Sequence, residues 1–389
     1  MARLGDVIEQ IRGVSYKPSD LKDTLNDNSV ILLRANNIQD GKIVLDDVLY
    51  VSKSKVNASQ YLRRGDILVC TSSGSKELVG KAASVDEDLP AVFGAFCKVV
   101  RPKIECCKYV GHFFQSPYYR NYISAASAGA NINNLRNEHI ADLYIPLPPL
   151  DKQRKIAAVL DKVSSLIVKR KQQLDKLDEL VKSRFVEMFG DPLDEGCIYQ
   201  KVPLGVVADV GSSKRIFEKE YVSSGVPFYR TKEIVELSKG HKITTELFIT
   251  KERFAEICDE YGAPQKGDLL ISAVGTIGVI WIVDGKNDFY FKDGNLLRVS
   301  VSNNFNPVYL KMLLETLIAA HKQKMSVGTA YAALTISMLK EMMVYLVPID
   351  EQNQFAAFVK QTEKIKATIS RSLEKLETLK KALMQEYFG

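Results

Sequence analysis

Two long stretches of this chain carry helical periodicity. Positions 151–189 contain no Pro or Gly, and Val163, Ile167, Leu174, Leu177 and Val181 recur on one stripe. That is the a/d spacing of a helix that packs along a second helix. Asp151, just behind Pro148-Pro149, suits an N-cap, because its carboxylate can accept free amides of the first turn. Gly190 followed by Pro192 is a stop signal. The pattern returns near the chain end, where Asp350 would cap a helix with Ile365, Ile369, Leu376, Leu379 and Leu383 on its seam. Arg170 and Ser372 interrupt the two seams, a device that can fix register. A helix over 151–189 would be roughly 58 Å long at 1.5 Å per residue. Elsewhere, short apolar runs at 30–33, 67–71, 96–100, 269–272, 279–283 and 296–301 read as strands. Helices are expected over 107–124 and 307–324. Both remaining regions are therefore mixed α/β.

The pattern is written twice. Pro149-Leu-Asp-Lys-Gln153 matches Pro348-Ile-Asp-Glu-Gln352, and one constant offset then holds without a gap to the chain end. It pairs Leu174, Leu177, Leu180 and Phe189 with Leu373, Leu376, Leu379 and Phe388. Upstream it pairs Ser127, Gly129 and Leu135 with Ser326, Gly328 and Leu334. With small gaps, Arg3-Leu-Gly5 resembles Pro203-Leu-Gly205, and Leu33-Arg34 before Asn37-Ile38 resembles Tyr229-Arg230 before Glu233-Ile234. Arg64-Gly-Asp-Ile-Leu68 resembles Lys266-Gly-Asp-Leu-Leu270. The expected fold is α/β (α+β), with two similar globular domains at 1–148 and 191–346. Two long antiparallel coiled-coil helices, at 149–190 and 347–389, separate them with pseudo-two-fold symmetry. The helices are alike and the domains have diverged, so the helices share a job while the domains act on different objects.

Composition narrows this only a little. The chain has 389 residues, a net charge of +6, 46% hydrophobic and 26% charged residues, a globular balance that permits a polyanionic partner without requiring one. Cys70, Cys97, Cys106, Cys107, Cys197 and Cys258 form no C-x-x-C pair and read as reduced structural thiols. The N-terminal 1–13 segment carries Arg3, Asp6, Glu9 and Arg12 and lacks the apolar core of a secretory signal. The uncharged run 269–283 is too short to span a bilayer and contains Gly275 and Gly278, so it reads as two buried strands around a Gly turn. A soluble, cytoplasmic protein with no membrane partner is expected.

The candidate chemistry is recognition. Each domain has a Gly-containing loop after a Gly-Asp strand, Thr71-Ser-Ser-Gly-Ser-Lys76 and Ser272-Ala-Val-Gly-Thr276. Small residues let backbone amides approach a phosphate; a plain turn is the alternative. Arg34 and Arg230 occupy matching positions, where guanidinium can read guanine or clamp phosphate, or form a structural ion pair. Tyr118, Tyr119 and Arg120 make a basic aromatic cluster, although tyrosines on an amphipathic helix are more often core than contact residues. The candidate DNA-binding set is Arg34, Ser73, Gly74, Lys76, Arg120, Arg230, Lys232, Gly275, Thr276 and Lys292. The candidate partner-binding set on the helices is the eight Leu and Phe residues paired above.

Catalytic motifs are missing. No G-x-G-x-x-G, H-E-x-x-H or G-x-S-x-G occurs, and Gly262 and Gly267 have P-loop spacing but are followed by Asp268-Leu269. His112, His139, His241 and His321 show no metal-ligand spacing. Acidic pairs such as Asp46-Asp47 read as solvated turns. No catalysis and no metal is expected in this chain.

The segments Ile145-Pro-Leu-Pro-Pro-Leu-Asp-Lys-Gln-Arg154 and Leu180-Val-Lys-Ser-Arg-Phe-Val-Glu-Met-Phe-Gly190 resemble those of type I restriction-modification specificity subunits, and the likeness covers essentially the whole chain. It implies two target recognition domains on double-stranded DNA, two conserved spacer helices, two modification (methyltransferase) subunits and restriction (motor/nuclease) subunits as partners. It places S-adenosylmethionine, ATP and Mg on those partners. The second copy departs from the pattern with one proline in Val347-Pro-Ile-Asp-Glu-Gln352. A scaffold whose coiled coil is the whole function, without DNA binding, is the competing reading. If the helices act as a ruler, deleting a turn or more from them changes the gap between target halves and leaves the bases of each half unchanged. Altered half-site bases in the deletion variant contradict the ruler.

Overall fold

The computed structural model describes residues 1–128, 134–194, 196, 198–325 and 333–389, with the side chains of Lys76, 126–128 and 324–325 set aside. Gly129, Ser326, Gly328 and Cys197, with the side chains of Ser127 and Lys76, therefore lie outside the described residues. The chain divides into two units, Met1–Gln172 with Ile369–Gly389, and Gln173–Thr368.

In the first unit the main strands are β1 (Ile8–Arg12), β2 (Leu21–Lys22), β3 (Ser29–Leu33), β4 (Leu49–Ser52), β5 (Ile67–Cys70), β6 (Ala82–Ser84), β7 (Ala91–Phe93) and β8 (Cys97–Pro102). One antiparallel sheet runs β1-β8-β5-β6, and the other, β7-β3-β4-β2, contains the parallel pair β3–β7. Every residue of β5 is buried. Its apolar run is continuous because both faces are covered. Ile67 and Val69 point into one core with Tyr109, Phe113 and Leu160, while Leu68 and Cys70 point into another with Leu33 and Phe93. Cys70 and Cys97 face each other across β5 and β8, yet both are free thiols, and burial pushes the Cys97 thiol up to about 12. The expected helix over 107–124 is two helices, α1 (Cys107–Phe113) and α2 (Pro117–Ala128). Pro117 opens the second, and the Ser116 hydroxyl caps it by accepting the Tyr119 amide at 3.2 Å. The first long helix, α3 (Leu150–Phe189), starts here.

The second unit repeats the plan with β9 (Asp209–Gly211), β10 (Val226–Tyr229), β11 (Phe248–Ile249), β12 (Leu269–Ser272), β13 (Ile280–Ile282), β14 (Tyr290–Phe291) and β15 (Leu296–Ser300). Its sheets run β9-β15-β12-β13 and β11-β10-β14, and β10–β14 is again parallel. β12 is fully buried, like β5. A helix, α4 (Thr231–Ser238), replaces the short turn after Arg34, and α5 (Pro307–Met325) is unbroken. The second long helix is α6 (Ile349–Phe388).

Each unit contains half of each long helix, packed antiparallel. In the first, Lys171 reaches Glu377 at 3.7 Å while Leu160 shares a core with Met384 and Phe388. In the second, Lys366 reaches Asp178 at 2.8 Å and Phe185 stacks edge-on with Phe355 at 5.3 Å. Two expectations need correcting. Ile365 and Leu379, placed on the seam by spacing, are each 46% exposed. Buried Thr362 and half-buried Lys366 face inward in the second unit, since a 3.6-residue turn drifts off a strict heptad. Asp151 and Asp350 lie inside the first turn and do not cap it. The start of each helix is tied instead by the glutamine two residues on. Gln153 Nε2 donates to the Pro148 carbonyl at 2.7 Å, and Gln352 Nε2 donates to the Val347 carbonyl at 2.8 Å.

Gln352 also donates to the Asn304 carbonyl and accepts the Asn306 amide at 2.7 Å, whereas Gln153 Oε1 is buried without a partner among the described residues. Gln352→Ala should therefore cost about 2–4 kcal/mol in chemical denaturation and Gln153→Ala only about 1 kcal/mol. Equal losses would mean that the two helix starts are held alike.

Candidate nucleic-acid interface

Three chain reversals meet at one edge of each unit. In the first, Arg34 follows β3, the Thr71–Lys76 loop follows β5, and Gly94–Phe96 follow β7. Four backbone hydrogen bonds knit them. The Gly94 amide donates to Leu33 O at 2.9 Å, Thr71 to Phe96 O at 2.9 Å, Leu135 to Thr71 O at 2.6 Å, and Gly80 to Cys70 O at 2.8 Å. The second unit repeats all four: Lys292 to Tyr229 O at 2.9 Å, Ala273 to Asn295 O at 2.8 Å, Leu334 to Ala273 O at 3.0 Å, and Gly278 to Ser272 O at 2.8 Å. Loops fixed this way on a packed scaffold present side chains without themselves carrying the fold.

The glycines that shape the loops are Gly278, already in the expected Gly turn, and Gly80, which the sequence did not draw out. Gly74 and Gly275 face open space. At Gly80 (φ +77°) a Cβ would stand 2.5 Å from Ile123 Cγ2, and at Gly278 (φ +87°) 2.7 Å from Ile318 Cγ2, so only glycine fits where each loop turns back against its helix. Several loop amides are already spent internally: Ser72 on Phe96 O, Ser75 on Ser73 Oγ and Ile277 on Gly275 O. Ser73 is half-buried, and Gly74, Gly275 and Thr276 are exposed.

Arg34 and Arg230 do occupy equivalent places. Each backbone amide is capped by the side chain three residues on, Asn37 at 2.8 Å and Glu233 at 2.9 Å. Their guanidiniums differ. Arg34 Nη2 pairs at 2.9 Å with Asp47, whose carboxylate is 72% exposed, and Arg34 Nε is buried without a partner among the described residues. Asp47 is the solvated turn residue expected, and it also takes this guanidinium. Arg230 is held at 3.0 Å by Glu233, only 3% exposed, and that hydrogen-bonded pairing pushes its guanidinium above the ordinary value. Arg120 donates to the carbonyls of Val79 and Glu77, both at 3.0 Å, and so braces the loop. Tyr119 is fully buried and Tyr118 packs on the same core. Lys76 opens a short 3-10 turn, Lys232 is exposed on α4, and Lys292 is half-buried where β14 ends.

On the helices, Leu174, Leu177, Leu373 and Leu376 are half-buried, and Phe189 and Phe388 are core. Leu180 and Leu379, repeat equivalents, are 48% and 46% exposed. The first unit thus exposes Leu166 and Leu379, and the second exposes their counterparts Ile365 and Leu180. Among the described residues no His/Cys/Asp/Glu group could hold a metal, and no helix is long and apolar enough to cross a membrane.

The comparisons agree with the duplication. A family model described as type I restriction modification DNA specificity domain matches residues 1–178 and again 199–378, and the chain belongs to that family of DNA target-recognition proteins. It is 28% identical over 418 residues to the EcoKI specificity subunit of Escherichia coli K12, covering 100% of this chain and 88% of that one. It is 40% identical over 182 residues to the StySPI specificity subunit of Salmonella potsdam, over 46% of this chain and 39% of that protein. The crystal structure of a type I restriction-modification S subunit from M. genitalium shares the fold at a TM-score of 0.58 and 14% identity, covering 100% and 95% of the two chains.

The two arginines should separate experimentally. Arg34→Ala should change stability by under about 1 kcal/mol, because its partner carboxylate is solvated, while weakening target binding about 5- to 100-fold if the side chain meets DNA. Arg230→Ala strands the buried Glu233 and should cost about 2–3 kcal/mol. Equal stability losses in paired denaturation curves contradict the distinction.

Proposed function

We propose that this chain is a non-catalytic specificity subunit that reads one double-stranded DNA target in two unlike halves, one at each loop cluster. The observation that carries this is the matched set of four backbone hydrogen bonds presenting different side chains in the two units. Equal scaffolds with unequal surfaces suit an asymmetric, bipartite target read largely from the major groove. Methyl transfer to adenine belongs to two modification subunits, and cleavage to restriction subunits where they are present. S-adenosylmethionine, ATP and Mg act on those partners. The paired exposed residues, Leu166 with Leu379 and Ile365 with Leu180, give each modification subunit an equivalent apolar foothold. Work on DNA alongside these partners fits a cytoplasmic location.

Methylome sequencing of cells that express the modification subunit with and without this chain tests the reading. The expected result is a new methylated adenine motif, with two unlike halves around a fixed gap, present only with the chain. Co-purification of the two proteins without any new motif favours the scaffold instead.

A further inference from the structure

One equivalent position in the two loop clusters lies outside the residues singled out from sequence. Phe96 immediately precedes β8 and Asn295 immediately precedes β15. Strand pairing fixes the equivalence, because Cys97 lies opposite Cys70 and Leu296 opposite Ser272. In both units the carbonyl of this residue accepts the amide of the residue after the buried strand, Thr71 at 2.9 Å and Ala273 at 2.8 Å. The Thr71 hydroxyl and the Ser72 amide add bonds to the Phe96 carbonyl at 3.0 and 3.1 Å. The backbone is therefore pinned without using the side chain. Phe96 is 69% exposed. Asn295 is half-buried; its backbone amide donates to the Asp293 carbonyl at 2.8 Å, while its side-chain amide is neither sealed from solvent nor bonded within the described residues. Lone exposed apolar residues are common on protein surfaces. Here the exposed ring stands on a triply bonded turn, and the second unit puts a free side-chain amide in the same place.

We infer that residues 96 and 295 determine specificity, each for one base position of its own half-site. The chemistry of the two side chains assigns the bases. An Asn amide offers one acceptor and donors in the spacing that matches adenine N6 and N7 in the major groove. A Phe ring offers neither donor nor acceptor, so the base edge it suits is the thymine 5-methyl group. Asn295 therefore reads an adenine in one half, and Phe96 packs on a thymine methyl in the other. This assignment rests on the loop clusters being the DNA-reading ends.

The test uses the full chain in complex with its modification subunits and duplexes carrying every single-base change in the target motif. Phe96→Ala should lower discrimination about 5- to 100-fold at one thymine of one half, and Asn295→Ala should do so at one adenine of the other half. All other positions, and affinity for unrelated DNA, should be unchanged. Base analogues bound by the unaltered complex probe the same contacts without any risk to folding. Uracil should weaken binding at that one thymine, and 7-deazaadenine at that one adenine. Wild-type discrimination by both variants overturns the assignment, as does full affinity for uracil and 7-deazaadenine at every thymine and adenine. An unaltered complex that prefers no motif at all contradicts the specificity-subunit reading instead.

Discussion

The structure depends on where the last aromatic ring of each long helix comes to rest. Phe388 at the end of α6 packs on Tyr109 with centroids 5.1 Å apart, and Phe189 at the end of α3 packs on Tyr309 at 4.9 Å. Both phenylalanines are almost wholly buried, which for a ring of this size is worth about 2–3 kcal/mol each. Tyr109 in turn donates its hydroxyl to the Pro146 carbonyl at 2.8 Å, just ahead of α3, and Tyr309 donates to the Tyr345 carbonyl at 3.4 Å, just ahead of α6. The contact thus ties a helix end, the start of the other long helix and the helix of an α/β unit into one core. From α2 and α5 the chain of contacts continues to the loops, because Ile123 and Ile318 fill the space that Gly80 and Gly278 leave open. Loop shape is in this sense set by packing that begins at the helix ends.

Much of this was legible in the sequence, and what was not has physical reasons. The repeat stood out because helices without Pro or Gly keep a register that a constant offset exposes. Strands such as 269–272 stood out as uninterrupted apolar runs, since both faces of β5 and β12 are covered. The seam was misplaced at Ile365 and Leu379 because spacing alone does not show which apolar residue of a turn faces the partner helix. The break at 114–116 was hidden because Pro117 is equally at home opening a helix. Within the site, Arg34 and Arg230 were found by matching neighbours, yet their different carboxylate partners depend on Asp47 and Glu233, thirteen and three residues away. The Gly turn at Gly275 and Gly278 was legible between two apolar runs, but Gly80 was missed because the two loops differ in length, so no constant offset aligns it with Gly278. Phe96 and Asn295 were missed because unlike residues at one position leave no repeat signal.

That last point bears on how such a protein diverges. The four matched backbone bonds that hold the loops involve only amides and carbonyls, so side chains at 34, 96 and 295 can change without loosening the scaffold, whereas Arg230 is tied to the buried Glu233. The exposed helix residues behave in the opposite way: Leu166 with Ile365 and Leu180 with Leu379 keep their apolar character and their exposure in both copies. Constancy there fits one kind of partner met twice, and variation at the loops fits two different half-sites.

The most direct measurement places a photo-crosslinking phenylalanine analogue at position 96 or 295 of the full chain, bound with its modification subunits to the methylated motif, and maps the adducts on the DNA. If each loop cluster reads its own half-site, the two positions crosslink to bases in opposite halves of the motif and leave the gap unmarked. Adducts from both positions in one half, or in the gap alone, would contradict that division of the target.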